Sequence, residues 1–165
     1  MNKDIKDLKI VTCHLGQGAS LCAVQGGKSV DTSMGLTPLG GITMVTRSGD
    51  LDPSVVTAIM KKENLTADEV ESILNKKSGL TAVSKLVPDF REIENASNEG
   101  NEDAIIAINK FVSTIAQYIA RYAAVMEGID AVVCTGGIGE NQIRIRSKIC
   151  KKLKIMGLDL DEENN

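Results

Sequence analysis

Residues 8–33 read LKIVTCHLGQGASLCAVQGGKSVDTS, three short apolar and β-branched runs parted by glycines. Leu8 to His14 has strand composition; Leu15-Gly16-Gln17-Gly18 interrupts it, and Ala19 to Gln25 resumes as a second strand. Gly26-Gly27 is a two-residue hairpin signal, after which Lys28 to Ser33 reads as a third strand. The chain therefore opens on an antiparallel three-strand meander. Gly35 to Gly49 follows as a loop rich in Gly, Thr and Pro, without periodicity.

Helical signals come next. Asp52-Pro53 pairs an N-cap residue with proline at the first helical position and predicts a helix to about Lys62. Thr66-Ala67-Asp68-Glu69 has the form of a capping box and predicts a second helix ending near Gly79. Asp89 is placed to cap a third, beginning Phe90-Arg91-Glu92-Ile93. Asn101 to Glu127 is the longest, with a stripe of Ala104, Ile105, Ile108, Phe111, Val112, Ile115, Ile119, Tyr122 and Val125, stopped by Gly128 as a C′ residue. Asp130 to Thr135 then predicts a short buried strand, Gly136 to Asn141 a glycine-rich loop, and the residues to about Lys154 a last helix. The order predicts an α/β fold, a mixed sheet with helices packed on it. At Leu158-Asp159-Leu160-Asp161 another strand could begin, so the architecture reads as incomplete.

Composition narrows the function. The 165 residues are 42% apolar and 25% charged, with a net charge of −3, which argues for a folded chain that buries roughly 70% of its unfolded surface. No apolar run approaches the ~18 residues of a membrane span, and Met1-Asn2-Lys3-Asp4 does not resemble a signal peptide. No membrane partner is expected. With no Trp, two Phe and two Tyr in an acidic chain, base-stacking platforms are nearly excluded, and no nucleic-acid partner is expected. The basic stretch Arg144, Arg146, Lys148, Lys151, Lys152 and Lys154 reads as the solvated face of an amphipathic helix that packs through Ile145, Ile149 and Leu153. Cys13, Cys22, Cys134 and Cys150 form no C-x-x-C pair and read as reduced thiols of a cytoplasmic protein, and His14, the single histidine, has no thiolate neighbours at ligand spacing, so no metal-ligating residues are assigned.

Two glycine-rich turns follow strands. His14-Leu15-Gly16-Gln17-Gly18 sits between the first two, where glycines can turn N–H groups toward an oxyanion. Its local pattern alone favours an ordinary hairpin turn. It is not a Walker A loop, and Gly16-x-Gly18-x-x-Leu21 lacks the third glycine of a dinucleotide fingerprint, which counts against an NAD-dependent oxidoreductase. Thr135-Gly136-Gly137-Ile138-Gly139-Glu140-Asn141 lies at the carboxyl end of the fourth strand, where open α/β sheets bind ligands. Arg47, in Thr46-Arg47-Ser48-Gly49-Asp50, has small neighbours and a planar donor fork suited to a phosphoryl oxygen; a surface ion pair with Asp50 or Asp52 is the plainer reading. Asp89-Phe90-Arg91 is similarly two-sided, either a helix cap with a surface charge or contacts to a base and ribose.

Taken in order, residues 13–20, 30–35, 46–53, 89–91 and 137–141 resemble the acetate kinase family, almost end to end. The resemblance implies a ribonuclease H-like, actin-like ATPase lobe with a βββαβαβα core and nucleotide in a cleft between lobes. It implies reversible phosphoryl transfer from ATP to acetate, giving acetyl phosphate and ADP, with Mg²⁺ as cofactor and a homodimeric enzyme. His14, Leu15, Gly16, Gln17, Gly18, Asp89, Phe90, Arg91, Gly137, Ile138, Gly139, Glu140 and Asn141 would bind nucleotide, and Arg47 would stabilise the transition state. Such an arginine contributes ~10³ or more in rate, roughly 4 kcal/mol. The family usually carries asparagine at Gln17, whose extra methylene shifts the amide by ~1 Å. Residues 1–165 are expected to form a single incomplete nucleotide-binding lobe, without the amino-terminal lobe that holds the F-H-G-T-S-H motif and the acetate pocket. The isolated chain is then expected to be inactive. A propionate or butyrate kinase, or a non-catalytic actin-like module, are the alternatives.

Overall fold

Burial alternates along the first two strands, and that alternation builds the sheet. In the computed structural model, which describes residues 3–165, β1 (Lys9–Leu15) buries Val11, Cys13 and Leu15, and β2 (Ala19–Gln25) buries Ala19, Leu21 and Ala23. Antiparallel register sets Leu15 opposite Ala19, Cys13 opposite Leu21 and Val11 opposite Ala23, so one face is wholly apolar. The expectation for Met1 and Asn2 lies outside the described residues. Gly26 and Gly27 take φ of 59° and 76°, the left-handed pair that a tight hairpin with the native strand twist requires, and lead into β3 (Lys28–Thr32). The predicted meander is present, with β1 displaced by one residue and β3 ending one residue early.

Four short helices follow. Asp52 caps α1 (Pro53–Glu63) by accepting from the Ser54 amide, and Thr66 and Glu69 close a reciprocal capping box on α2 (Ala67–Lys76). Then come α3 (Gly79–Ser84) and α4 (Phe90–Asn98), the latter capped by Asp89. α3 was not foreseen: the predicted second helix stops at Lys76, and a new one starts three residues later. α5 (Glu102–Val125) crosses the apolar face of the sheet, burying Phe111, Ile115, Ile119 and Tyr122 completely. Two residues expected in its stripe, Ile105 and Val125, are instead exposed. The helix ends in a Schellman arrangement, with Gly128 N–H on Ala123 O at 2.7 Å and Glu127 N–H on Ala124 O at 3.2 Å. The left-handed C′ residue is thus Glu127 (φ 56°), and Gly128 is one position further on.

β4 (Ala131–Thr135) pairs parallel with the free side of β1, giving the order β3-β2-β1-β4 and the mixed sheet expected. It is an edge strand and only half-buried, with Val133 exposed, rather than the buried strand its composition suggested. The glycine-rich stretch after it is not a loop but a single short helix, α6 (Gly136–Asn141), and α7 (Ile143–Leu153) begins after a break at Gln142. The core lies between the sheet and α5, with α3, α4 and α7 closing its rim.

Truncating Ile115 to alanine is expected to lower stability by about 2–5 kcal/mol, while Ile106→Ala, on the exposed side of α5, changes it by less than about 0.5 kcal/mol. Urea denaturation of the two variants measures the contrast.

Candidate functional site

The parallel register aligns Cys13 with Cys134 and His14 with Thr135, so β1 and β4 end side by side. His14 Nδ1 lies 3.2 Å from Thr135 Oγ1. At Gly136 the chain turns from strand to helix with φ +78°, and a Cβ there would sit 2.7 Å from Leu15 O, so only glycine admits the turn. Gly139 then brings α6 down on the strands; a Cβ at that position would be 3.5 Å from Cys134 Cβ and 3.6 Å from Leu15 Cβ. Both glycine-rich segments reach the same end of the sheet.

The start of α4 forms the third wall. Gln17 Nε2 donates to Pro88 O at 3.1 Å, tying the hairpin tip to the residue before the cap. Asp89 accepts from the Arg91 amide at 2.9 Å and grips the Arg91 guanidinium through Nε (3.2 Å) and Nη2 (2.9 Å). Those bonds from the Arg91 side chain and amide hold the Asp89 carboxyl below the usual aspartate range. Phe90 turns inward onto Phe111, ring centroids 5.2 Å apart, anchoring the turn to α5. Between these walls is an open cleft of ≈ 470 Å³, lined by Gly16, Gln17, Asp89, Phe90, Arg91, Gly137, Ile138, Asn141 and Gln142. It presents a guanidinium, a carboxylate, side-chain amides and glycine backbone to one space. That set suits a planar polar ring with hydroxyls attached.

Of the residues singled out from sequence, eight line this cleft, and six do not. Leu15 is fully buried and faces the core. His14, Gly18, Gly139 and Glu140 flank the cleft. Glu140 Oε1 accepts from Gly136 N–H at 3.0 Å, so α6 carries a carboxylate of its own at its first amide. Arg47 is drawn to the hairpin but not into the cleft: a Cβ on Gly18 would lie 2.8 Å from its Nη1, which also approaches Met44 Sδ at 3.6 Å. Asp50 does not take Arg47 as partner. Its carboxylate accepts from Gly41 N–H at 2.7 Å and from the Tyr118 hydroxyl, closing the neck of the loop that carries Arg47. Burial, with that bond, pushes the Tyr118 hydroxyl up to about 12.

Gln142 and Pro88 went unnoticed in the sequence. Gln142 follows directly on the glycine motif and could have been added to it; Pro88 acts through its carbonyl, which no residue pattern announces. Behind β4 lies a separate apolar cavity of ≈ 380 Å³, bounded by Ile115, Val132, Cys134, Ile149, Cys150 and Leu160 among others. Among the described residues no three His, Cys, Asp or Glu side chains gather into a metal site.

The sequence matches the family model described as "Acetokinase family" over residues 1–165. It is 55% identical over 159 residues to the acetate kinase of Treponema denticola, covering 96% of this chain and 40% of that protein. Against the acetate kinase of Clostridium novyi it is 52% identical over 165 residues, covering 100% of this chain and 41% of that one. Among solved structures, Porphyromonas gingivalis acetate kinase is similar with a TM-score of 0.93 at 44% identity, over 96% of this chain and 40% of that chain. A propionate kinase from Francisella tularensis gives 0.91 at 40% identity, over 96% and 41%. The chain spans about 40% of the length of the curated relatives it matches.

The Asp89 carboxyl has a depressed pKa in the fold, so its contribution to stability is present above the unfolded value of about 3.9 and fades as pH falls through the folded value. The stability gap between wild type and Asp89→Ala is therefore expected to be constant from pH 7 to about 5 and to narrow toward pH 2. Thermal unfolding of both proteins across that range tests it.

Proposed function

Because the chain belongs to the acetokinase family, we propose that it supplies the nucleotide-binding part of an acetate kinase, the enzyme that moves a phosphoryl group reversibly between ATP and acetate. One observation carries this reading: three segments distant in sequence, the hairpin tip, the start of α4 and α6, line a single cleft. Asp89, Phe90, Arg91, Ile138 and Asn141 would receive base and ribose, and Gly16, Gln17 and Gly137 would offer backbone toward the phosphates. Arg47, held against Gly18 at the border of the cleft, would meet the transferring group and stabilise its charge. Phosphoryl transfer demands little covalent chemistry from the protein, so positioning and charge neutralisation by such groups are the parts it needs.

The described residues gather no three carboxylate, Cys or His side chains for Mg²⁺, so the ion would arrive on the nucleotide's phosphates. Glu140, seated on the Gly136 amide, stands where an anion would otherwise accept, which leaves the neighbouring backbone of Gly137 and Gly16 as the route for phosphate contacts. A cytoplasmic homodimer acting on acetate belongs to the same reading. No helix among the described residues is long and apolar enough to cross a membrane. The likeness to a propionate kinase favours a second reading, in which a longer acyl acceptor is used by the same nucleotide site.

Calorimetric titration is expected to show one molecule of Mg-ATP or Mg-ADP bound per chain. Absence of binding overturns the proposal. Arg47→Ala is expected to bind Mg-ATP within about threefold of wild type, because its guanidinium is outside the cleft in the ground state. With acetate present, a coupled ADP-release assay is expected to register no turnover by the chain alone. Rates near the ordinary kinase range of about 1–100 per second would contradict that expectation.

A further inference from the structure

The basic stretch at the end of the chain contains one arginine that does not behave as a solvated charge. Arg144 is exposed, but Arg146 is half-buried, and its guanidinium points back across the break between α6 and α7. In an unbroken helix the carbonyls of residues 139 and 140 would accept from the amides of residues 143 and 144. Gln142, at φ −98° and ψ 79°, interrupts that ladder and leaves those carbonyls without helical partners. Arg146 takes both: Nη1 donates to Gly139 O at 2.9 Å and to Glu140 O at 2.7 Å. Its Nε donates to Asn165 Oδ1 at 2.7 Å, and Asn165 Nδ2 donates to Ile143 O at 3.1 Å, which fixes the plane of the guanidinium. The backbone of Arg146 is itself anchored in the first turn of α7, where its N–H donates to Gln142 O at 3.2 Å. Side chains in a helix lean toward its amino-terminus, so position 146 is well placed to reach back one element.

We propose that Arg146 is a positioning residue of the nucleotide cleft, acting through α6 rather than by touching the ligand. The inference rests on the nucleotide reading above. Helix α6 is six residues long and three of them are glycine, a composition with little helical preference of its own. Gly137, Ile138 and Asn141, all on that helix, line the cleft. Glu140 Oε1, accepting from Gly136 N–H, caps the helix from within, and Gly139 seats it on the strands; its carboxyl end is gripped from outside by Arg146, donating to the carbonyls of Gly139 and Glu140. A planar, always-charged fork serves two carbonyls and Asn165 together, whereas a lysine ammonium, with three donors on one atom, reaches fewer of them.

The test compares Arg146→Met, which keeps the stem and removes the donors, with Arg146→Lys, and with Arg144→Met as a control for lost charge. Two quantities are read on the full chain: the dissociation constant for Mg-ATP well below the unfolding temperature, and hydrogen exchange of the α6 amides without nucleotide. Arg146→Met is expected to weaken Mg-ATP about tenfold, Arg146→Lys about threefold, and Arg144→Met less than twofold. In the first variant the α6 amides exchange faster while those of α5 do not change. If Arg146→Met binds as wild type does, even with a lower unfolding temperature, the residue is only structural and the proposal falls. It also falls if affinity drops while α6 exchange is unaltered, since the effect is then one of charge and not of position. Should the methionine variant fail to fold, the lysine variant decides by the same two readings. Failure of the wild type to bind Mg-ATP is a separate result, which overturns the nucleotide reading and this inference with it.

Discussion

The parallel pairing of β1 with β4 is the constraint on which the rest of the molecule depends. A chain can form a meander from local turns, but the β1–β4 ladder joins residues about 120 positions apart, from Ile10 with Ala131 to His14 with Thr135. Its register fixes two things together. It brings the hairpin tip after β1 beside the first turn of α6, and it sets Gly136 against Leu15 so closely that no side chain fits between them. A shift of one residue would turn Cys134 and the other half-buried residues of β4 to the opposite face and carry α6 away from Gly16. The long helix α5 makes the ladder possible, since its buried stripe covers the sheet while its length returns the chain to the edge of β1.

The cleft is assembled from ties of modest individual strength. Gln17 on Pro88 and Asp89 on Arg91 are exposed hydrogen bonds, and an exposed ion pair contributes little to stability. Their effect is geometric. The first sets the hairpin tip and the start of α4 at a fixed separation, and the second holds the Arg91 side chain against that start, with Phe90 and Phe111 as the buried pivot. The loop that bears Arg47 is treated likewise: it has no helix or strand of its own, yet Ile42, Met44 and Val45 are fully buried, and backbone bonds from Leu80 and Thr81 to Met44 and Val45 join it to α3. Gln17 donates its side-chain amide to Pro88 O, which gives that residue a framework part in the wall of the cleft.

What could be read from sequence was what local chemistry controls. Gly26-Gly27, the caps Asp52, Thr66 and Asp89, and the apolar stripe of α5 act over a few residues and announce themselves. Helix α3 escaped because Gly79 to Ser84 has no period; its first amides find partners in the loop at Met44 and Val45, a contact that sequence spacing does not encode. Helix α6 reads as a loop in the sequence because glycine disfavours helix by about 1 kcal/mol per residue, a preference outweighed here by tertiary contacts. Nor did spacing reveal that Leu15 points inward or that Arg47 stands outside the cleft. The order of the motifs indicated which residues meet; the distances between them required the fold.

The outer side of β4 has a consequence for anyone who concentrates this protein. Among the described residues no strand pairs with that side of Ala131 to Thr135, Val133 is exposed, and an apolar hollow runs behind them. Such an edge is a template for adding another strand, and no proline or bulge in β4 blunts it. Self-association of the purified chain therefore has an intrinsic source in the open ladder itself, and molecular-weight measurements need an edge-blocking substitution such as Val133→Lys alongside before any dimer is ascribed to a specific interface.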